Sequence, residues 1–211
     1  LPVHIGVDFD NTIVRYDELF HRCALELGLI PRDLPVSKAA VRAYLWSQPQ
    51  GNTPWTELQG VVYGERMQEA VPCRGVEDFL EFSEEAGIRL SIISHKQEYP
   101  ALGPRVNLRN AALKWIEDHH FYGDRPGGLR KGDVHFEASR SGKLACIQAS
   151  TCTHFVDDLP EVFLDAEFPA SVLKLLYAGD AHSETPGLPG LLVFHDWRSI
   201  TEYCRRLLQH E

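Results

Sequence analysis

The chain has 211 residues, 44 % of them hydrophobic, and a formal charge of -9 from 30 acidic and 21 basic residues. With no Lys/Arg block, that balance disfavours binding a nucleic-acid backbone; a small anionic substrate is not excluded, because one local cation plus a metal can hold it against the global field. No apolar run is long enough to cross a bilayer, so a soluble, non-membrane protein with one core domain carrying an insertion is expected.

The first predicted strand is the short apolar run from His4, and it breaks into acid at "DFDNT", Asp8 to Thr12. Three helical patterns follow with no strand between them. The first places Leu19, Phe20, Cys23, Ala24 and Leu27 at helical spacing and stops at Gly28. The second runs from the N-cap candidate Ser37, and the third opens on "NTPW" with Thr53 as cap and Pro54 at the first helical position. This block, residues 14–72, reads as the insertion, and residues 1–13 with 73–211 read as the core. Strand and helix then alternate. A helix with Val76, Phe79 and Leu80 inward ends at Gly87 and feeds the strand "IRLSIIS". A helix spans Asn107 to His119. "DVHFE" is a third strand, preceded by the Gly-rich charged loop "DRPGGLRKGD". A short helix from Ser141 to Gln148 leads to the strand "THFV", and "VLKLLY" and "LLVF" are two more, before a final helix capped by Asp196. Alternation of this kind predicts an α/β, doubly wound, mainly parallel sheet.

In such a sheet the ligand sits at the carboxyl ends of the strands. Three strands here end in polar groups: Asp8, Asp10, Asn11 and Thr12 after the first, Ser94, His95 and Lys96 after the second, and Asp157 and Asp158 after the fourth. Lys143 reaches the same edge from the first turn of its helix. Asp8, Asp10 and Asp157 make an oxygen-rich pocket suited to Mg²⁺, and a lysine and a hydroxyl beside it suit the remaining oxygens of a phosphate. The metal is expected to relieve the repulsion between the two acids of the D-x-D pair.

Four motifs in order, "DFDNT", "IISH", "SGKL" and "HFVDD", resemble the haloacid dehalogenase (HAD) superfamily, and the likeness extends over nearly the whole chain. The resemblance implies a Rossmann-like core with a small helical C1 cap after the first strand, and a Mg²⁺-dependent phosphomonoesterase acting on a small phosphorylated metabolite. It also implies that Asp8 is the nucleophile, forming an aspartyl-phosphate, and that Asp10 is acid to the leaving alcohol and then base to water. Ser94 and Lys143 hold the phosphoryl oxygens, with the main-chain N–H of Asn11. The metal ligands are Asp8, the main-chain carbonyl of Asp10, Asp157, and Asp158 either directly or through water. Departures from the family pattern are Asn11, His95 and Leu144, where Gly, Asn and Pro are frequent; they bear on the subfamily rather than on the chemistry. A phosphomutase would use the same groups, and a metal-bound recognition module is the non-enzymatic alternative. The namesake dehalogenases need neither Asp10 nor the metal.

Other residues carry weaker signals. His95 either touches the substrate or packs beside the strand end. His119 and His120 lie at a helix end, and His135 and His154 read as core. In the insertion, Arg15, Arg22, Arg42, Arg66, Trp55 and Tyr63 are candidates to read the substrate, although surface arginines are usually solvated. The five cysteines, 23, 73, 146, 152 and 204, form no C-x-x-C pair and read as reduced, cytoplasmic thiols. Composition and pattern assign no oligomeric state.

Overall fold

The computed structural model describes residues 2–125, 127–179 and 187–209. They fall into two compact units, one drawn from the spans 1–14, 72–95 and 120–211 and the other from 15–71 and 96–119.

The first unit is built on a six-stranded sheet. Its strands are β1 (His4–Val7), β4 (Arg89–His95), β5 (Gly128–Glu137), β6 (His154–Asp157), β7 (Leu173–Tyr177) and β8 (Leu191–Phe194). Their order is β5-β4-β1-β6-β7-β8, and every pairing is parallel. The expected α/β parallel sheet is therefore present. Because the chain winds outward from β1 through β4 to β5 and then returns to β6 on the other side, the switch in strand order falls between β1 and β6. All four residues of β1 are buried, as a central parallel strand requires. Gly6 is needed there because a Cβ would come within 2.6 Å of the Phe155 ring.

Four helices accompany this sheet: α4 (Val76–Glu85), α6 (Arg140–Ser150), α7 (Pro160–Leu164) and α8 (Trp197–Gln209). One buried layer joins Leu144 and Ile147 of α6 and Val162 and Phe163 of α7 to Ile93, Phe155 and Leu176 of the strands. Another centres on Phe79 of α4 against Trp197 of α8, with ring centres 4.7 Å apart. Gly87 takes a positive φ of 72° to end α4. Asp196 caps α8 by accepting the Ser199 N–H at 2.7 Å, as its spacing predicts.

The second unit contains α1 (Asp17–Glu26), α2 (Lys38–Ser47), α3 (Asn52–Gly60), a π turn (Val61–Glu65), a 3₁₀ turn (Met67–Glu69) and α5 (Leu108–Asp118). Ser37 caps α2 through the Ala40 N–H. Two short strands at the junctions in the chain, β2 (Val14–Arg15) and β3 (Val71–Pro72), form a separate two-stranded sheet.

Four details differ from the sequence expectation. The segment 96–119, read as part of the core, groups with 15–71, because Trp115 donates to the Ala70 carbonyl at 2.9 Å and Gln68 to the Ala111 carbonyl at 2.9 Å. Helix α3 starts before Thr53, on Gly51, with no side-chain cap; a Cβ at Gly51 would collide with the Leu45 carbonyl oxygen, so this tight approach sets where the helix begins. Most of the charged loop before "DVHFE" belongs to β5, whose register against β4 jumps from Leu90–Leu129 to Ile92–Val134. This bulge carries Arg130, Lys131 and Gly132 outside the ladder and so hides the strand period. Finally, α7, β2 and β3 are too short to generate a readable period.

Two buried histidines give the first unit a pH-dependent stability. His4 Nε2 shares a 2.8 Å hydrogen bond with Ser91 Oγ, and His154 Nδ1 one of 2.8 Å with Thr153 Oγ1. Burial, helped at His4 by the Arg89 charge, holds both below the ordinary histidine value of 6.5. The unfolded chain binds these protons more readily than the fold does, so their contribution is complete above about pH 6.5 and is lost as the pH falls below it. Thermal unfolding is expected to show Tm level above that pH and declining below it. The decline should be shallower in His154→Gln; an unchanged slope would place the sensitivity elsewhere.

Candidate active site

The end of β1 and the end of β6 are bonded together by the Asp8 N–H, which donates to the Val156 carbonyl at 2.8 Å. This fixes Asp8 one residue beyond β1 and beside Asp157, the last residue of β6. Asp8 is 5 % exposed and Asp157 is fully buried. Two carboxylates this close and this dry require a cation. Lys143, in the first turn of α6, supplies one: its Nζ lies 2.6 Å from Asp8 Oδ1 and 2.6 Å from Asp157 Oδ2. A lysine thus stands between Asp8 and Asp157, a pair distinct from the Asp8–Asp10 pair for which the sequence predicts a metal.

The charges of this trio are strongly interdependent. Burial disfavours the Lys143 ammonium, but Asp8 and Asp157 outweigh it and hold the lysine above its ordinary value, so it stays protonated. Burial pushes Asp157 up, and Asp8 adds to the rise against the opposing pull of Lys143. One lysine charge thus faces two carboxylates, and the site retains an appetite for positive charge.

A third acid completes the donor set. Asp8, Asp157 and Asp158 each offer a carboxylate oxygen, all within 4.8 Å of one another. Three hard oxygen donors on a rigid strand edge fit a divalent ion such as Mg²⁺. Asp157 Oδ1 also accepts the Leu159 N–H at 3.0 Å, which fixes the carboxylate's rotation. The carboxylate of Asp10 is not in this group, which leaves its main-chain carbonyl as the route by which Asp10 could serve a metal.

The loop after Asp8 is a tight turn. The Ile13 and Val14 N–H groups both donate to the Phe9 carbonyl, at 3.0 and 3.1 Å, and Asn11 takes a φ of 59°, which asparagine tolerates well. The Asn11 N–H, expected to face phosphate, instead donates to the Val14 carbonyl at 2.8 Å and closes the turn. That assignment is corrected: the amide is committed within the chain. Trp197 Nε1 braces the same turn by donating to the Thr12 carbonyl at 2.9 Å. Thr12 Oγ1 is buried with no hydrogen-bond partner among the described residues. The brace by Trp197 comes from the far end of the chain and had no signal in the sequence.

Ser94 is 1 % exposed in β4, the neighbour of β1, so the sheet brings its hydroxyl to the edge that carries Asp8. His95 is exposed, and its Nε2 lies 3.1 Å from the Ala138 carbonyl, a contact that ties it to the segment after β5.

No family model and no curated protein matches the chain. Solved structures do match, across almost the full length. A predicted phosphatase from Clostridium acetobutylicum superposes with a TM-score of 0.60 at 13 % identity, covering 98 % of this chain and 99 % of the other. A HAD family hydrolase from Deinococcus radiodurans, with bound phosphate and sodium, gives 0.56 at 12 % identity over 99 % and 96 % of the two chains. An L-2-haloacid dehalogenase gives 0.56 at 14 % identity over 97 % and 99 %. The architecture is thus a Rossmann-like α/β core, with the Asp8–Lys143–Asp157 cluster at the sheet switch. More narrowly, it is the haloacid dehalogenase superfamily fold.

Proposed function

We propose that the protein is a Mg²⁺-dependent phosphomonoester hydrolase that acts on a small phosphorylated metabolite through an aspartyl-phosphate on Asp8. The observation that carries this reading is the buried Asp8–Lys143–Asp157 bridge, with both contacts at 2.6 Å, beside the carboxylate of Asp158. A lysine that holds a carboxylate nucleophile in place can also hold the oxygens of a phosphoryl group, and three acids favour a divalent ion over a metal-free site. The namesake dehalogenation needs no metal and no second acid, and this chain carries Asp10 and the three-carboxylate group.

In the proposed reaction an Asp8 carboxylate oxygen attacks phosphorus as the bond from phosphorus to the ester oxygen breaks. Asp10 gives its proton to the departing alcohol. Asp10 then takes a proton from water as the water oxygen attacks phosphorus and the bond to Asp8 breaks, releasing inorganic phosphate. Lys143 and Ser94 stabilise the negative oxygens throughout. Asp8, Asp157, Asp158 and the Asp10 carbonyl would hold Mg²⁺, which supplies charge neutralisation at the phosphoryl group when bound.

The net charge of -9 argues for a small ester over a polyanionic polymer. No helix among the described residues is long and apolar enough to cross a membrane. All five cysteines are free thiols, in keeping with a proposed cytoplasmic setting.

Hydrolysis of p-nitrophenyl phosphate tests the reading. The protein is expected to release p-nitrophenol with Mg²⁺, to lose activity in EDTA and to recover it when Mg²⁺ is returned. Absence of turnover with Mg²⁺, or metal-independent release of halide from a 2-haloacid, would overturn it.

A further inference from the structure

The turn that follows Asp8 carries Asp10, the acid and base of the proposed reaction, and its stem and its middle are fastened by different groups. At the stem, the Phe9 carbonyl accepts the Ile13 and Val14 N–H groups at 3.0 and 3.1 Å, and the Asn11 N–H donates to the Val14 carbonyl at 2.8 Å. Main-chain bonds also tie both flanks to the rest of the first unit. The Asp8 N–H donates to the Val156 carbonyl at 2.8 Å, and the Cys73 N–H to the Ile13 carbonyl at 2.7 Å. At Thr12, two residues beyond Asp10, the tie comes from a side chain: Trp197 Nε1 donates to the Thr12 carbonyl at 2.9 Å. The Thr12 hydroxyl does not share this task, because Oγ1 is buried with no hydrogen-bond partner among the described residues.

Trp197 is itself firmly set. It is the first residue of α8, next to the cap Asp196, and it is fully buried. Its ring centre lies 4.7 Å from that of Phe79 and 5.7 Å from that of Tyr177. The chain passes close by at Gly75, whose φ is 85° and whose Cβ would stand 3.5 Å from Trp197 Cβ. All of these groups belong to the first unit. Packing alone would be served by any large ring, but a buried indole N–H needs an acceptor and so adds a directed bond. Its acceptor here lies on the turn that carries Asp10, which couples the last helix to the placement of one reacting group. That placement matters, since a displacement of about 1 Å can cost about 10²-fold in rate.

We propose that Trp197 is a positioning residue for the proton transfers of Asp10, acting by holding the middle of the turn through the Thr12 carbonyl. The inference rests on the phosphohydrolase reading and adds to it a residue 185 positions along the chain from Thr12. Without the indole N–H the stem of the turn stays closed and the Asp8 main chain stays bonded to Val156, so the nucleophile keeps its place while Asp10 loses its aim. Attack on phosphorus then persists where the leaving group needs no proton and suffers most where it does. Nitrophenolate departs as a stabilised anion, whereas the alkoxide of benzyl alcohol must be protonated as it leaves.

The test is the ratio of kcat/KM for benzyl phosphate to that for p-nitrophenyl phosphate, since both values report the step that forms the aspartyl-phosphate. Trp197→Phe keeps a large ring and removes the N–H, and the ratio is expected to fall by about tenfold, a part of the roughly 10²–10⁴-fold that a general acid contributes. Trp197→Tyr, which also lacks the indole N–H, is a second variant with the same expected fall. Asp10→Asn should lower the ratio further, and Trp197→Phe added to it should lower it no more. Phe79→Leu loosens the same packing without touching the hydrogen bond and should leave the ratio at its wild-type value. Because the ratio is internal to each variant, a general loss of activity or of folded protein does not imitate the effect. A wild-type ratio in both Trp197 variants reduces the residue to packing and overturns the proposal, while wild-type turnover of p-nitrophenyl phosphate keeps the phosphatase reading intact. An equal fall in Phe79→Leu assigns the effect to packing and overturns it as well. A ratio untouched by Asp10→Asn overturns the acid role and the positioning with it, and wild-type protein that hydrolyses neither ester overturns both proposals.

Discussion

Asp8→Asn is expected to reduce hydrolysis of p-nitrophenyl phosphate by at least about 10³-fold while leaving the protein folded, because removing a nucleophile removes the covalent route itself. The substitution is nearly isosteric, so the hydrogen bond from the residue 8 main chain to Val156 survives and β1 and β6 remain joined. What changes is charge and nucleophilicity. The amide can no longer attack phosphorus, and Lys143 is left with one carboxylate, Asp157, which it contacts at 2.6 Å. That remaining pair is a satisfied buried ion pair, so stability should change little, and the folded and active states separate cleanly. Urea unfolding measured alongside turnover checks both halves. Activity surviving in a folded Asp8→Asn protein would assign the covalent step to another residue and remove the foundation of the proposed mechanism. The companion Asp10→Asn should slow turnover through loss of proton transfer, typically about 10²–10⁴-fold, and trap phosphate on Asp8 in a rapid-mixing experiment.

The site was legible in the sequence where chemistry forces particular residue types onto strand ends. Asp8, Ser94, Lys143, Asp157 and Asp158 each stand at a predictable station of a parallel sheet, so the pattern carried both the fold and the acid–lysine constellation. The role of Lys143 as the cation between two buried acids was not legible, because it depends on a side chain reaching across from α6 to two other strands. The Asn11 amide was misjudged for a related reason: whether a backbone N–H is free depends on how the turn closes, and here Val14 takes it. In the second unit the sequence drew attention to Arg22 and Arg66, whose partners Glu26 and Glu69 lie on separate segments. Residues 96–119 likewise looked like any flanking α/β helix, and only the Trp115 and Gln68 hydrogen bonds reveal their grouping.

Lys143→Met should be the most destabilising single change in the site, at about 3–5 kcal/mol, because it leaves two buried carboxylates facing each other without a counter-charge. The methionine fills much of the lysine stem's volume, so the loss would come from electrostatics and not from a cavity. Comparison of two further variants isolates that cause. Asp157→Asn alone leaves Lys143 paired with Asp8 at 2.6 Å and should change stability little, whereas Asp157→Asn in the Lys143→Met background removes one of two repelling charges and should recover part of the loss. A double-mutant cycle therefore gives a coupling energy well above the scatter of independent sites, about 0.3–0.5 kcal/mol. Denaturant unfolding in EDTA measures the four proteins without a competing cation, and repeating the series with Mg²⁺ shows whether a divalent ion substitutes for the missing lysine charge. Mg²⁺ should stabilise Lys143→Met more than the wild type, since the three carboxylates gather within 4.8 Å whether or not the ammonium is there to share them. Additive energies across the cycle would mean that the 2.6 Å contacts contribute only packing. Strong coupling would establish that one lysine makes the convergence of Asp8 and Asp157 tolerable, and hence that the fold holds its nucleophile in place before any substrate arrives.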